Sequence, residues 1–118
     1  MDSTKKGAEP DQTAAIAAAL DRMWVKFLPD LRERVRVLDA AAQAAAEGRL
    51  SEDLRRQALE AAHKLAGSLG TFGLERGTER ARTLETLYAE RRVKPGDAAA
   101  LAEAATAIQS AIEGRKTE

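Results

Sequence analysis

No cysteine occurs among the 118 residues, which excludes disulfides and the usual thiolate zinc sites. Neither sign of charge dominates, with 19 acidic side chains against 19 basic ones, so neither nucleic acid nor an anionic membrane is indicated as a partner. No apolar run approaches the ~20 residues that span a bilayer, and no signal-peptide pattern is present. β-Branched residues are scarce and never alternate with polar ones, leaving little from which to build a sheet. Aromatics make up only 3 % of the chain, so packing must come from aliphatic side chains. A single domain in a soluble, cytoplasmic, monomeric protein is the expectation.

What the chain has in quantity is alanine, leucine, glutamate and arginine, the strong helix formers, with charged residues at 32 %. This composition predicts an all-α fold. Residues 1–11 carry Ser, Thr, Lys, Gly and Pro without periodicity and are expected to form a flexible tail. From residue 12 to 114 the apolar residues recur at helical spacing. A first stripe is Ile16, Leu20, Met23 and Phe27, with Trp24 and Leu28 beside it. Pro29 predicts a break or kink, because proline is poorly tolerated inside a helix. A second stripe, Leu31, Val35, Leu38 and Ala42, runs out at Gly48.

Ser51 is a suitable N-cap for a third helix, with Glu52 and Asp53 where the helix dipole favours negative charge. Its stripe is Leu54, Ala58, Ala61, Leu65, Leu69 and Phe72. A fourth helix shows Ala81, Leu84, Leu87 and Tyr88, and stops before Lys94-Pro95-Gly96-Asp97. Asp97 is placed to cap a fifth, with Leu101, Ala105, Ile108 and Ile112; residues 115–118 form a short C-terminal tail. Short connections between amphipathic helices predict antiparallel neighbours, hence an up-down bundle.

His63 is the only histidine. On a helical wheel it lies roughly 160° from the centre of the arc formed by Leu54 to Phe72, so it faces solvent or a partner. Gly67 follows it by one turn, then Gly70, with Gly73 close behind. Each interior glycine costs a helix about 1 kcal/mol relative to alanine. A bare strip beside an exposed imidazole leaves room for another protein's surface. Leu59 and Leu74 are placed to bracket that strip with apolar contact. Neutral imidazole is a nucleophile, and phosphoryl transfer to it requires alignment and charge balance more than elaborate groups. Lys64 and Arg56 are the nearby cations, and Glu60 is placed to orient the ring. Arg55 lies on or beside the same face. A lone surface histidine most often has no role, however, and a glycine cluster can simply end a helix, so the wheel alone leaves both readings open.

The stretch Ala62-His63-Lys64-Leu65-Ala66-Gly67-Ser68-Leu69-Gly70-Thr71-Phe72-Gly73-Leu74 resembles the signature of histidine-containing phosphotransfer (HPt) domains of two-component phosphorelays. The motif is short but specific, and helix order and length extend the likeness over most of residues 12–114. The resemblance implies a four-helix bundle with an additional N-terminal helix across one end. It implies phosphorylation of His63 and exchange with the aspartate of a receiver domain, Gly67 admitting the receiver. A histidine kinase or hybrid kinase and a response regulator would be the partners. No cofactor is expected on this chain, the Mg²⁺ site belonging to the receiver. One departure stands out: the family's usual lysine three residues after the histidine is Ala66 here.

No Gly-rich nucleotide loop or kinase segment is present, so a phosphocarrier rather than an autophosphorylating enzyme is expected. Trp24 and Phe72 read as packing residues. Two other readings stay open. One is a non-phosphorylated adaptor or kinase inhibitor using the same docking face. The other is a phosphoacceptor domain cut from a chemotaxis-type kinase, against which the short tails argue.

Overall fold

Forty-five residues, Asp2–Ala46, form one continuous helix, α1. The structure, a computed structural model, describes residues 2–90 and 93–115, with side chains from residue 12 onward. At about 1.5 Å per residue, α1 accounts for the 67 Å long dimension of the molecule. The break predicted at Pro29 is absent. A mid-helix proline removes one N–H and crowds the carbonyl four residues back, at a cost of about 3 kcal/mol. Here Trp24 and Leu31 flank Pro29 and are both buried on one inward face. Packing on either side keeps the helix going, and the crowded carbonyl belongs to exposed Val25, where water can reach it.

The additional N-terminal helix is therefore not a separate element but the first half of α1. The expected tail at 1–11 overlaps this helix, whose backbone begins at Asp2; Met1 and residues 116–118 lie outside the described residues. The first stripe also divides. Trp24 enters the core and Leu28 packs against it, whereas Ile16, Met23 and Phe27 remain exposed, Ile16 by 63 %.

Gly48 ends this segment with φ +68°, a left-handed value that glycine adopts without strain, and Arg49 N–H closes on Ala44 O at 2.9 Å. Ser51 then caps α2 (Glu52–Thr71), its hydroxyl accepting the Leu54 N–H at 3.1 Å. Gly73, φ +72°, makes the tight turn into α3 (Glu75–Ala89). A 3₁₀ turn at Pro95–Asp97 leads into α4 (Ala98–Gly114). The Asp97 carboxylate accepts the Lys94 N–H at 3.0 Å, so it stabilises this turn rather than capping α4 directly.

Each helix packs on its sequence neighbour, and α4 returns to α1, closing an antiparallel four-helix ring with α1 and α3 on the diagonal. Leu31, Leu38, Leu65, Leu69, Leu84, Tyr88, Leu101 and Ile108 are the largest fully buried side chains. Buried alanines fill the rest and bring the helices close. Gly77 permits the tightest approach: a Cβ there would lie 2.9 Å from Leu69 Cδ1 and 3.3 Å from Ala111 Cβ.

Two charged residues are structural, contrary to expectation. Arg55 is buried, donating to its own-helix Glu52 and to the Tyr88 carbonyl in the last turn of α3, where a cation suits the helix dipole. Arg115, assigned above to a tail, stacks over Trp24 and Phe72 at 5.0 and 5.4 Å and pairs with Asp21 at 3.1 Å. Trp24 and Phe72 meet edge to face, with centroids 5.1 Å apart. This cluster joins α1, the end of α2 and the end of α4.

The Tyr88 hydroxyl is buried with no hydrogen-bond partner among the described residues, and burial pushes its pKa up to about 12. The unfolded chain ionises near the ordinary value of ~10, so stability falls as pH rises from about 10 to 12. Tyr88→Phe is expected to raise the unfolding free energy at pH 7 by about 1 kcal/mol. The same variant is expected to lose less stability in that alkaline window, both effects being readable in denaturant melts at pH 7 and 11.

Candidate functional site

The side of α2 that makes no core contact carries the only histidine of the chain. The His63 side chain is 72 % exposed, as the wheel predicted. It is not isolated. Its Nδ1 lies 2.7 Å from Glu85 Oε2, on α3. An ionised carboxylate can only accept, so the neutral ring carries its proton on Nδ1 and donates it to Glu85. Nε2 then keeps its lone pair, and no described residue engages it. A nucleophilic nitrogen is thus presented at the surface with its tautomer fixed from behind.

The three glycines have different reasons. Gly73 is demanded by its positive φ. Gly67 has helical backbone, and a Cβ there would meet nothing within 4 Å. At Gly70 the nearest atom would be Thr78 Oγ1 at an ordinary 3.8 Å. Packing therefore requires neither Gly67 nor Gly70, and their helix cost of about 1 kcal/mol each has no return inside the fold. The bare strip is a surface feature.

Other expected site residues are placed differently. Leu59 and Leu74 do not stand free as a rim; both are half-buried and pack against the core. Lys64 pairs with Glu60 at 2.8 Å, and Arg56 with Asp53 at 3.1 Å, each within α2. The Lys64 hydrogen bond and charge, with Arg34 of α1 adding to them, hold the Glu60 carboxyl below its ordinary value. Glu60 therefore faces Lys64 and α1, while His63 turns toward α3. Ala66 is only 6 % exposed, packed where α2 meets its neighbours.

Glu85 was not anticipated, although a signal existed. It flanks the Leu84 stripe of α3 and is equidistant with His63 from Leu74, so an antiparallel hairpin turning at Gly73-Leu74 sets the two opposite one another. Among the described residues no group of three or more His, Cys, Asp or Glu could hold a metal ion, and no helix is long and apolar enough to cross a membrane.

The family model described as Hpt domain matches residues 22–115. The chain belongs to the Hpt domain family. An Hpt domain is a phosphocarrier module of two-component phosphorelays, and that general role holds for this chain. The chain is also similar to Protein RcaC of Microchaete diplosiphon, with 31 % identity over 104 residues, 87 % of this chain but 16 % of that protein. The chain thus spans about a sixth of that relative. No solved structure matches it. The Hpt match begins at residue 22, so residues 2–21 of α1 lie outside it.

Replacing Glu85 by Ala is expected to shift the ring of His63 toward the Nε2–H tautomer, which long-range ¹H–¹⁵N spectra report directly. Stability should change by no more than about 1 kcal/mol, because the ring is largely exposed although Glu85 is half-buried.

Proposed function

We propose that His63 accepts a phosphoryl group on Nε2 and exchanges it with the aspartate of a receiver domain. The observation that carries this reading is an exposed imidazole held at Nδ1 by Glu85 beside a glycine strip that packing does not require. In the forward step the Nε2 lone pair attacks phosphorus of the receiver's acyl phosphate. The Nε2–P bond forms as the P–O bond to aspartate breaks, leaving its electron pair on the receiver carboxylate. The ring becomes an imidazolium whose Nδ1–H remains on Glu85, and the adjacent carboxylate offsets the new positive charge. Reversal returns the phosphoryl group and the neutral ring.

The docking face is built from Gly67 and Gly70 together with α1. Met23 and Phe27 share a helix face with Arg34, the residue whose charge acts on Glu60 of α2. Their exposed apolar side chains therefore flank α2 on the side of Lys64, supplying the apolar contact that Leu59 and Leu74 do not. A histidine kinase or hybrid kinase, with its receiver, and a response regulator are the partners of this reading. The receiver brings Mg²⁺ and most of the catalytic apparatus, and this chain works as a monomeric cytoplasmic carrier.

Incubation with a phosphorylated receiver tests the proposal. Wild type is expected to gain an acid-labile, alkali-stable label that His63→Gln lacks. Binding without any label from cognate donors would instead assign the chain as an adaptor. In Gly67→Leu, transfer is expected to fall at least about tenfold through steric exclusion of the receiver. Its thermal midpoint should hold or rise, because leucine favours the helix and meets open space. Loss of both together would make Gly67 a packing residue.

A further inference from the structure

A phosphoryl group on His63 brings about two negative charges to a place where the Glu85 carboxylate already stands 2.7 Å from the ring. Something must balance them. Lys64 and Arg56, the cations of α2 nearest in sequence, are paired with Glu60 and Asp53. The α2–α3 seam supplies another. Its register is set by His63 opposite Glu85 and by Gly70 opposite Thr78, and the same register sets Ala66 opposite Arg82. Thr78, Arg82 and Glu85 recur at i, i+4 and i+7, so they form one stripe of α3 along the edge of α2. Arg82 is exposed, and its guanidinium makes no ion pair or hydrogen bond among the described residues. Across from it are the methyl of Ala66 and the empty space over Gly67, so no α2 side chain stands between Arg82 and His63.

We propose that Arg82 is the cation that binds the phosphoryl group on His63, reaching over the Ala66–Gly67 gap from the neighbouring helix. The inference rests on His63 being the phosphoryl site. A planar guanidinium can take two phosphoryl oxygens at once, which a point charge cannot. Arg82 thus offsets the repulsion that Glu85 would otherwise exert. The charged groups around the phosphoryl group are then Glu85 and Arg82 from α3, Lys64 and Glu60 from α2, and Arg34 from α1 through Glu60.

The test uses the full chain without any partner. Phosphoramidate phosphorylates the ring directly: Nε2 attacks phosphorus, the Nε2–P bond forms, the P–N bond of the reagent breaks, and ammonia leaves. With one histidine in the chain, ³¹P spectra contain one phosphohistidine signal, whose shift titrates with phosphoryl protonation. In Arg82→Gln the titration midpoint is expected about half a pH unit above wild type, because a nearby cation favours the dianion. Arg82→Lys should recover part of the difference. Arg80→Gln, on the α4 side where Arg80 pairs with Glu103, should leave the midpoint unchanged. Coincident titrations for wild type and Arg82→Gln would overturn the assignment, even if receivers still transfer phosphate. A displaced midpoint with no transfer from any receiver would uphold Arg82 as the phosphoryl ligand while refuting the relay reading.

Discussion

Helices α2 and α3 lie against one another along a seam of small residues, Ala62, Ala66, Gly77 and Ala81, and the geometry of the outer surface follows from how closely they approach. At one end the missing Cβ of Gly77 lets Leu69 and Ala111 close on α3. At the other, buried Arg55 bonds the Tyr88 carbonyl. With both ends held, a slip of one residue is excluded. Such a slip would turn Glu85 by about 100° and separate it from His63. The tautomer of an exposed ring is thus set by buried packing two turns away.

The division of labour on α2 has an energetic logic. Its inner face, from Ala58 to Leu69, is buried and provides the hydrophobic stabilisation. Its outer face contributes little, since exposed ion pairs such as Lys64–Glu60 and Arg56–Asp53 are worth at most about 1 kcal/mol each. Weak pairs can be exchanged when a partner arrives, and glycines that weaken the helix there are offset by the core behind them. The proposed chemistry occupies the face on which the fold depends least.

Much of the fold was legible because helical signals are local. Ser51 as N-cap, Gly48 as terminator, and the stripes of α2, α3 and α4 all appear in place. The misreadings cluster where distant residues decide. Pro29 reads as a break, yet burial of Trp24 and Leu31 on one face holds the helix through it. Met23 and Trp24 are neighbours in one apolar run, and only the position of α2 and α4 determines that Trp24 goes in while Met23 stays out. Arg55 and Arg115 look like surface charge until the Tyr88 carbonyl and the Trp24–Phe72 pair are brought to them.

His63 shows the same boundary. Its outward direction follows from the period of a single helix, which is set by backbone hydrogen bonds between residues four apart. The run from Ala62 to Leu74 carries the family likeness for the same reason, being contiguous. Glu85 behind the ring, Arg82 across the gap and Phe27 on the flank come from other helices. Their placement depends on how side chains far apart in sequence fill a shared core, which no local periodicity specifies. The sequence by itself determined which residue faces outward, and the tertiary structure decided what stands beside it.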